Sequence, residues 1–329
     1  MMVPLLEVKD LYVQFSVFEG ELKVLNGVNL KINEGEKIGL VGEAGCGKTT
    51  TMKSILRVLP TPVARISKGE IIYKGKNILN MKPSEIQNIR RGEITAIFQD
   101  PLTSLNPVFT IGQQLGDVIK YASRYQDHLD KKEIFSKSVA ALKETGMPDP
   151  ERILNNYPVQ LSGGMRQRVC ISEALSTNHN LIIADEPTTS LDVTIQDQIL
   201  RLLSKLVEKK KMSIILITHS LGVVRELTDR VYVMYAGNIV ETAQTTTLFS
   251  NPLHPYTRGL MNAIPRLTGE RIFEGIEGRI PNYLYPPTGC RFHPRCKYST
   301  KECQEIFPLM YDTGNNHEVA CFLYKEELN

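Results

Sequence analysis

The sequence predicts an α/β protein whose core is a parallel β-sheet covered by helices on both faces. Short apolar segments of strand length alternate along the chain with segments of helical periodicity, as in sheets with helical crossovers. A glycine-rich loop, Gly42–Thr49, stands between one such strand and the helix that follows it. This strand, loop and helix together predict a site for the phosphates of a nucleotide.

Five apolar segments have the length of β-strands, and none approaches the roughly 18 residues that would span a membrane. The last two are joined by a turn at 236–238, so they predict a hairpin that closes the sheet. The five predicted strands are Lys37–Val41, Leu181–Ala184, Ser213–Thr218, Val231–Met234 and Ile239–Glu241.

Helical periodicity begins directly after the glycine-rich loop and is expected to end before Pro60. Residues 101–170 lack strand-like alternation and predict an inserted helical subdomain, whereas frequent prolines beyond residue 250 predict a loop-rich extension. The expected organisation is therefore a nucleotide-binding domain over 1–250, with the helical subdomain at about 101–170. A C-terminal extension follows over 251–329.

The composition is that of a folded protein, with 329 residues, 42% hydrophobic and 23% charged. A net charge of +3 is too small to indicate nucleic acid as the main partner. Met1–Val13 lacks a basic head followed by an apolar core, so we expect no secretory signal and a cytosolic protein. In that reducing compartment the six cysteines are not expected to form disulfides.

The glycine-rich loop fits the pattern G-x-x-x-x-G-K-[ST]. Its backbone amides and the following helix N-terminus are expected to bind phosphate, with Lys48 at the β- and γ-phosphates and Thr49 on Mg²⁺. Cys46 would add a thiol open to oxidation or alkylation beside the nucleotide. The residues predicted to bind ATP here are Gly42, Glu43, Ala44, Gly45, Cys46, Gly47, Lys48, Thr49 and Thr50.

Three more polar residues follow predicted strands. Asp185 and Glu186 end the strand at 181–184, where Asp185 is placed to hold Mg²⁺ and Glu186 to orient or deprotonate the attacking water. His219 follows the strand at 213–218. Because ligands of an open parallel sheet bind at the carboxyl ends of its strands, His219 is expected to contact the γ-phosphate.

The segment Leu161–Met165 predicts a second anion-binding helix end. Ser162 can cap the helix that follows, and Gly163 and Gly164 leave amide donors uncovered. A second such end in one chain is explained if it faces the nucleotide of another subunit.

These motifs, in this order, resemble the ATP-binding cassette (ABC) ATPases over roughly residues 5–250. The resemblance implies a RecA-like P-loop NTPase core with an inserted α-helical subdomain and an antiparallel β subdomain. It also implies two ATPase domains packed head to tail, with each nucleotide between one phosphate loop and the other domain's signature. The motifs are Gly42–Thr50, Gln99, Gln160 with Leu161–Met165, Asp185 with Glu186, Ser190–Asp192, and His219.

The resemblance also assigns roles to single residues. Glu186, His219, Gln99 and Lys48 would be catalytic. Gln99 would contact either Mg²⁺, together with Thr49 and Asp185, or the lytic water, and it would sense the transport partner. An aromatic residue on the first strand would stack on adenine, with Phe15 as the best match and Tyr12 as its rival. The residues that serve the partner's nucleotide would be Ser162, Gly163, Gly164 and Asp192.

Two stretches narrow the resemblance to importers of dipeptides and oligopeptides, with nickel importers as close relatives. One is Phe98–Pro107, and the other runs from Asn251–Thr257 through Pro287–Cys296 to Cys321. The implied partners are a second ATPase, identical or distinct, two membrane permease subunits and, indirectly, an extracytoplasmic substrate-binding protein. The chain would then lie at the cytoplasmic face of the membrane. A soluble ABC ATPase is the less favoured alternative, because this chain has no second cassette and no long coiled coil.

Four cysteines, Cys290, Cys296, Cys303 and Cys321, crowd into the extension with gaps of five, six and seventeen residues. These gaps exceed the usual spacing of zinc ligands, so a [4Fe-4S] cluster, zinc and unliganded thiols all remain open. His293 and His317 are alternative zinc ligands. The resemblance favours the [4Fe-4S] cluster, whose expected role is to stabilise a segment with little core.

Overall fold

The structure, a computed structural model, describes residues 3–123, 129–189, 191–263 and 275–328. The chain divides into two compact units, one formed by Met1–Asn80 with Leu216–Asn329 and the other by Met81–Ile215. Among the described residues, no helix is both long enough and apolar enough to cross a membrane.

The described residues form twelve strands, which include all five predicted ones with bounds that differ by at most three residues. In chain order they are β1 (Leu6–Val17), β2 (Gly20–Ile32), β3 (Lys37–Val41), β4 (Ala64–Tyr73), β5 (Lys76–Asn77), β6 (Ile94–Ile97), β7 (Leu181–Asp185), β8 (Ser213–Ile217), β9 (Arg230–Tyr235), β10 (Asn238–Gln244), β11 (Tyr311–Asp312) and β12 (Glu318–Val319).

Twelve α-helices are found in the same described ranges. They are α1 (Lys48–Ile55), α2 (Pro83–Gly92), α3 (Pro101–Ser104), α4 (Ile111–Ser123), α5 (Lys131–Glu144), α6 (Pro150–Ile153), α7 (Gly163–Leu175), α8 (Val193–Lys209), α9 (Leu221–Leu227), α10 (Thr245–Ser250), α11 (Pro255–Asn262) and α12 (Lys301–Glu305). Helix α1 ends earlier than the prediction that placed its end before Pro60. Arg57 has a φ of 52°, a left-handed conformation that a right-handed helix does not accommodate.

In the first unit, β2, β1, β4 and β5 form an antiparallel sheet in that order, which matches the antiparallel β subdomain that the resemblance implied. A second set of strands has the order β11, β12, β10, β9 and β3, and β3 pairs with β9 in parallel. The hairpin between β9 and β10 turns at Ala236 and Gly237, with φ values of 44° and 82°. Two left-handed residues are what a tight hairpin turn requires.

The extension contributes β11 and β12, which the proline-rich sequence did not predict. Strand β12 pairs with β10, where Glu241 lies opposite Val319, so the loop-rich segment is joined to the sheet by backbone hydrogen bonds.

In the second unit, β6 and β7 pair in parallel, and helices α3 to α7 form the predicted helical insertion. Helix α5 begins with a capping box in which Asp130 and Glu133 bond each other's backbone N–H at 2.8 Å. The insertion has an apolar core of its own, whose members with no exposed surface are Ile111, Leu115, Leu142, Ile153 and Val169.

Candidate nucleotide-binding site

The glycine-rich loop leaves β3 at Gly42 and enters α1 at Lys48. Gly42 has a φ of 155°, and a Cβ atom there would lie 2.1 Å from the carbonyl oxygen of Met234. Gly47, the N-cap of α1, has a φ of 112°, and its Cβ would lie 2.7 Å from a methyl carbon of Leu25. Both positions therefore require glycine for space as well as for backbone conformation.

Lys48 is folded into the loop and is buried. Its Nζ donates to the carbonyl oxygens of Gly42 at 2.8 Å and Glu43 at 2.9 Å. Thr49 and Thr50 follow in the first turn of α1, where both are half-buried and where no acidic residue is present. An ammonium group and a helix N-terminus thus meet at one loop, an arrangement suited to binding phosphate.

Cys46 lies inside the same loop, with its Sγ 3.7 Å from Lys48 Nζ and no exposed surface. Burial raises the pKa of this thiol, and the nearby Lys48 ammonium lowers the pKa by less. A protonated, inaccessible thiol reacts slowly with oxidants and alkylating agents. The reactivity expected of Cys46 is therefore suppressed by the fold.

Two further predicted ligands belong to the same unit. Phe15 is half-buried on β1, opposite Leu22, so its ring is accessible rather than part of the core. The ring of Tyr12 instead packs beneath the ammonium of Lys68, 5.2 Å from Nζ, which favours Phe15 as the stacking residue. His219 follows β8 and is exposed.

The second unit brings Gln99 and Glu186 together. Glu186 Oε2 accepts hydrogen bonds from Gln99 Nε2 at 2.8 Å and from the hydroxyl of Thr189 at 2.9 Å. Asp185, at the end of β7, is buried, whereas Glu186 is half-buried and has a φ of 46°. The end of β7 therefore presents two adjacent carboxylates, one of which is oriented by an amide and a hydroxyl.

The segment at 161–165 begins helix α7, as predicted. Ser162 is its N-cap and accepts from the N–H of Met165 at 3.3 Å. Cβ atoms at Gly163 and Gly164 would lie 3.1 Å from Leu191 and 3.0 Å from Ile195, so both glycines pack closely against the start of α8. Asp192, the N-cap of α8, is exposed, and Ser190 lies outside the described residues.

The four late cysteines line one cavity of about 140 Å³, together with His254 and His293. Burial raises the thiol pKa of Cys290 to about 12 and that of Cys321 to about 11, and it also raises that of Cys296. Within the part of the chain that the structure describes, no three His, Cys, Asp or Glu residues form a group that could hold a metal ion.

The two histidines proposed as zinc alternatives are engaged elsewhere. His317 Nε2 lies 2.7 Å from Glu241 Oε1, and His317 does not line the cysteine cavity. His293 borders the cavity, but its Nδ1 lies 2.9 Å from the carbonyl oxygen of Cys290.

Three residues of the extension contact the glycine-rich loop and were missed by the sequence analysis. The hydroxyl of Tyr256 accepts from the N–H of Glu43, and the hydroxyl of Tyr283 donates to the carbonyl oxygen of Gly45. Arg295 forms an ion pair with the Glu43 side chain. The contacts join residues more than 200 positions apart, so no local pattern in the sequence could have indicated them.

Residues 25–189 match the ABC transporter family, and residues 240–303 match the oligopeptide/dipeptide transporter C-terminal region. An oligopeptide transport ATP-binding protein of Bacillus subtilis, OppD, is 44% identical over 97% of this chain and 88% of its own length. The dipeptide transport ATP-binding protein DppD of the same organism is 41% identical over 98% of this chain and 95% of its own. A probable peptide transporter protein of Sinorhizobium fredii, y4tR, is 44% identical over 99% of this chain and 96% of its own.

Two solved structures of ABC proteins also resemble this chain. The ATP-binding cassette MJ0796, described as a dimer in a post-hydrolysis state bound to ADP and Pi, superimposes with a TM-score of 0.65 at 28% identity. The superimposed region covers 73% of this chain and 98% of the MJ0796 chain. The cbiO1 protein of Clostridium perfringens gives a TM-score of 0.63 at 27% identity, over 76% of this chain and 92% of that one.

The chain therefore belongs to the ABC transporter family. Within that family it is an ATP-hydrolysing, ATP-binding subunit with the P-loop α/β fold, which confirms the predicted fold, family and enzyme class.

Proposed function

We propose that this chain is the motor subunit of a peptide importer, held at the cytoplasmic face of the cell membrane by permease subunits. The observation that carries the proposal is the presence in one chain of the ABC transporter match and the oligopeptide/dipeptide C-terminal match. Three relatives that are 41–44% identical are named for peptide, oligopeptide or dipeptide transport. None of these three is named for nickel, so no observation favours that alternative.

In the proposed site, the triphosphate of ATP binds along Gly42–Thr50. The loop amides and Lys48 Nζ bind the β- and γ-phosphates, and Lys48 would exchange its present carbonyl partners for phosphate oxygens. Phe15 stacks on adenine, and His219 contacts the γ-phosphate. The half-buried Phe15 and the exposed His219 are accessible enough for these contacts.

The proposed Mg²⁺ ligands are a hydroxyl, an amide oxygen and a carboxylate, from Thr49, Gln99 and Asp185. These are hard oxygen ligands of the kind Mg²⁺ prefers, and when bound Mg²⁺ would neutralise charge on the β- and γ-phosphate oxygens. Glu186 accepts the proton of the attacking water at its carboxylate. Gln99 and Thr189 hold that carboxylate in a fixed orientation.

The site is completed by a second ATPase subunit, either identical or closely related. Ser162, Gly163, Gly164 and Asp192 of each subunit would contact the nucleotide of the other, and two permeases would convert closure of the pair into transport. An extracytoplasmic binding protein would deliver the peptide. The dimer described for the MJ0796 cassette supports this arrangement.

Complementation between two inactive variants tests the composite site. Lys48→Ala removes the phosphate-binding lysine, and Ser162→Arg blocks the signature, so each variant alone should hydrolyse ATP at less than about 5% of the wild-type rate. A mixed dimer retains one intact site, and the mixture should recover a substantial part of the activity. As a control, each variant is assayed alone at the total protein concentration of the mixture. Failure of the mixture to recover activity at dimer-forming concentrations would argue against a site shared between two copies of this chain.

The transport role is tested with the assembled importer. Co-purification with permeases and a binding protein, followed by uptake of labelled peptide or nickel in vesicles, identifies the cargo. Peptide uptake that depends on ATP and fails with Glu186→Gln is the expected result. Uptake of nickel alone would contradict the proposed cargo.

We also propose that Cys290, Cys296, Cys303 and Cys321 hold one inorganic group, a [4Fe-4S] cluster, with zinc as the alternative. The proposal is supported by the shared cavity that all four residues line. The raised thiol pKa values of Cys290, Cys296 and Cys321 mean that binding must displace protons, so affinity should rise with pH. Anaerobically purified protein should be brown, absorb near 400 nm and contain iron and acid-labile sulfide. A colourless protein with stoichiometric zinc would contradict the cluster.

A further inference from the structure

The extension fixes the backbone of the phosphate loop at two points. The N–H of Glu43 donates to the hydroxyl of Tyr256 at 2.8 Å, so this amide is already bonded. Two residues further on, the carbonyl oxygen of Gly45 accepts from the hydroxyl of Tyr283 at 2.7 Å. These are the second and fourth positions of the loop, so the extension determines where the following amides point.

The third contact is between charged side chains. Arg295 Nη1 donates to Glu43 Oε2 at 3.0 Å, with side-chain exposures of 6% and 28%. The same guanidinium donates from Nε to the carbonyl oxygen of Glu277 at 2.8 Å and from Nη2 to that of Ile276 at 3.1 Å. Arg295 is therefore fixed by backbone acceptors before it reaches Glu43, and its position costs little additional side-chain entropy.

Both tyrosines have further contacts of their own. Tyr256 has no exposed surface, and its ring packs against Tyr235 at 4.6 Å and Phe292 at 5.5 Å between ring centres. The carbonyl oxygen of Tyr283 accepts from the N–H of Lys23 at 2.9 Å. Tyr283 is half-buried and packs against the same apolar cluster, so both contacts to the loop come from packed side chains.

We propose that Arg295, Tyr283 and Tyr256 are positioning residues for ATP. The inference rests on the proposed function, since it concerns the site at Gly42–Thr50. Glu43 places a carboxylate on a loop that must receive a highly charged anion, and Arg295 neutralises this carboxylate. Tyr283 and Tyr256 hold the loop backbone in the conformation that binds phosphate. Nucleotide affinity consequently depends on residues that never contact the nucleotide.

The ion pair is tested with a rescue experiment. Arg295→Gln leaves the Glu43 charge uncompensated, so the dissociation constant of a fluorescent ADP analogue should rise about tenfold or more at low salt. The increase should shrink at high ionic strength, because salt screens charges. Glu43→Gln combined with Arg295→Gln removes both charges and should restore affinity to within about threefold of wild type. A purely structural role of Arg295 predicts no such rescue.

Arg258→Gln is the matched control, because Arg258 also holds the extension, through the carbonyl oxygen of Pro252 and the hydroxyl of Tyr324, without reaching the loop. Its nucleotide affinity should stay at the wild-type value. If Arg295→Gln and Arg258→Gln weaken binding equally, or if the double variant binds no better than Arg295→Gln, the proposal is wrong.

Tyr283→Phe provides a test that preserves packing, since it removes only the hydroxyl that bonds Gly45. The dissociation constant should rise about three- to tenfold, while the melting temperature should fall by no more than about 4 °C. Tyr285→Phe, at a position 78% exposed, should leave the affinity unchanged. Wild-type affinity in Tyr283→Phe would overturn the role of this residue. Among these binding measurements, only a wild-type protein that bound no nucleotide would count against the proposed function itself.

Discussion

The side-chain amide of Gln99 donates to Glu186 Oε2 at 2.8 Å, and the same oxygen accepts from Thr189 at 2.9 Å. Glu186 is held with a φ of 46°, a conformation that costs a residue with a side chain about 1 kcal/mol or more. Strain of this kind at the end of β7 is kept only where the surrounding contacts enforce it. At Glu186, two donors fix the direction of the carboxylate that this backbone carries.

Replacement of Glu186 should separate ATP binding from hydrolysis. Glu186→Gln keeps the size and the hydrogen-bonding capacity of the side chain but cannot accept the proton of the attacking water. Steady-state phosphate release should fall by about a hundredfold or more, while the ATP dissociation constant changes by less than about threefold. Glu208→Gln, on the exposed side of α8, should behave as wild type. Turnover that survives Glu186→Gln would remove this residue from the mechanism.

Replacement of Gly42 by alanine should destabilise the protein much more than replacement of Gly45 by alanine. Both have positive φ values, 155° and 81°, but only at Gly42 would a Cβ collide with backbone, 2.1 Å from Met234 O. Nothing lies within 4 Å of a Cβ at Gly45. We expect Gly42→Ala to lower the free energy of unfolding by more than about 3 kcal/mol and Gly45→Ala by about 1 kcal/mol. Urea denaturation measures both, and equal losses would contradict the steric argument.

His254 should make the protein sensitive to acid. It is fully buried, burial lowers its pKa to about 4, and its Nδ1 accepts from the N–H of Tyr256 at 3.0 Å. Since the folded-state pKa lies below the unfolded value, the unfolded state binds the proton more readily. The contribution of neutral His254 to the free energy of unfolding is complete above pH 6.5. It is lost as the pH falls towards 4, and the loss is about 3 kcal/mol at most.

Denaturation between pH 7 and pH 4 tests this dependence. His254→Asn can still cap α11 but does not titrate, so its stability should fall less steeply with acid. His219→Asn, at an exposed position, should keep the wild-type slope. Identical slopes in His254→Asn and wild type would contradict the expected role of His254.

The thiol of Cys46 should be inert while the protein is folded. It has no exposed surface and burial raises its pKa, so iodoacetamide at pH 7.5 should leave it unlabelled for hours. Labelling should become complete in urea, as read by mass spectrometry. Cys46→Ala should bind ATP within about threefold of wild type, because the loop uses backbone amides. Rapid labelling of the native protein would show that the loop opens.

Local patterns predicted the elements whose causes are local. Strand β3 was predicted with its observed bounds because Lys37–Val41 is apolar and followed by a glycine. The N-cap at Ser162 was predicted because serine is a preferred N-cap residue and stands directly before the helix. The early end of α1 was not predicted, because it depends on the left-handed conformation of Arg57. Arginine has no special preference for that conformation.

The candidate site was predictable where a motif carries it and not where the tertiary fold does. The loop, Gln99 and Glu186 belong to motifs. Tyr283 and Arg295 reach the loop from more than 200 residues away, and although Arg295 lies in the stretch Pro287–Cys296 that narrows the resemblance, no local pattern there indicates a contact with the loop. Burial likewise decides that Cys46 is unreactive, and burial is a property of the assembled fold.

Glu241 on β10 has no exposed surface, and its carboxylate accepts from the N–H groups of Leu253 and His254, each at 2.8 Å. His317, from near the end of the chain, lies 2.7 Å from the same carboxylate. A chain cut after β10 would lose Leu253, His254 and His317, and with them all three of these contacts to the carboxylate. The last quarter of the chain is therefore part of the packing of the nucleotide-binding unit. A cassette shortened to its family core would not have the stability of the full chain.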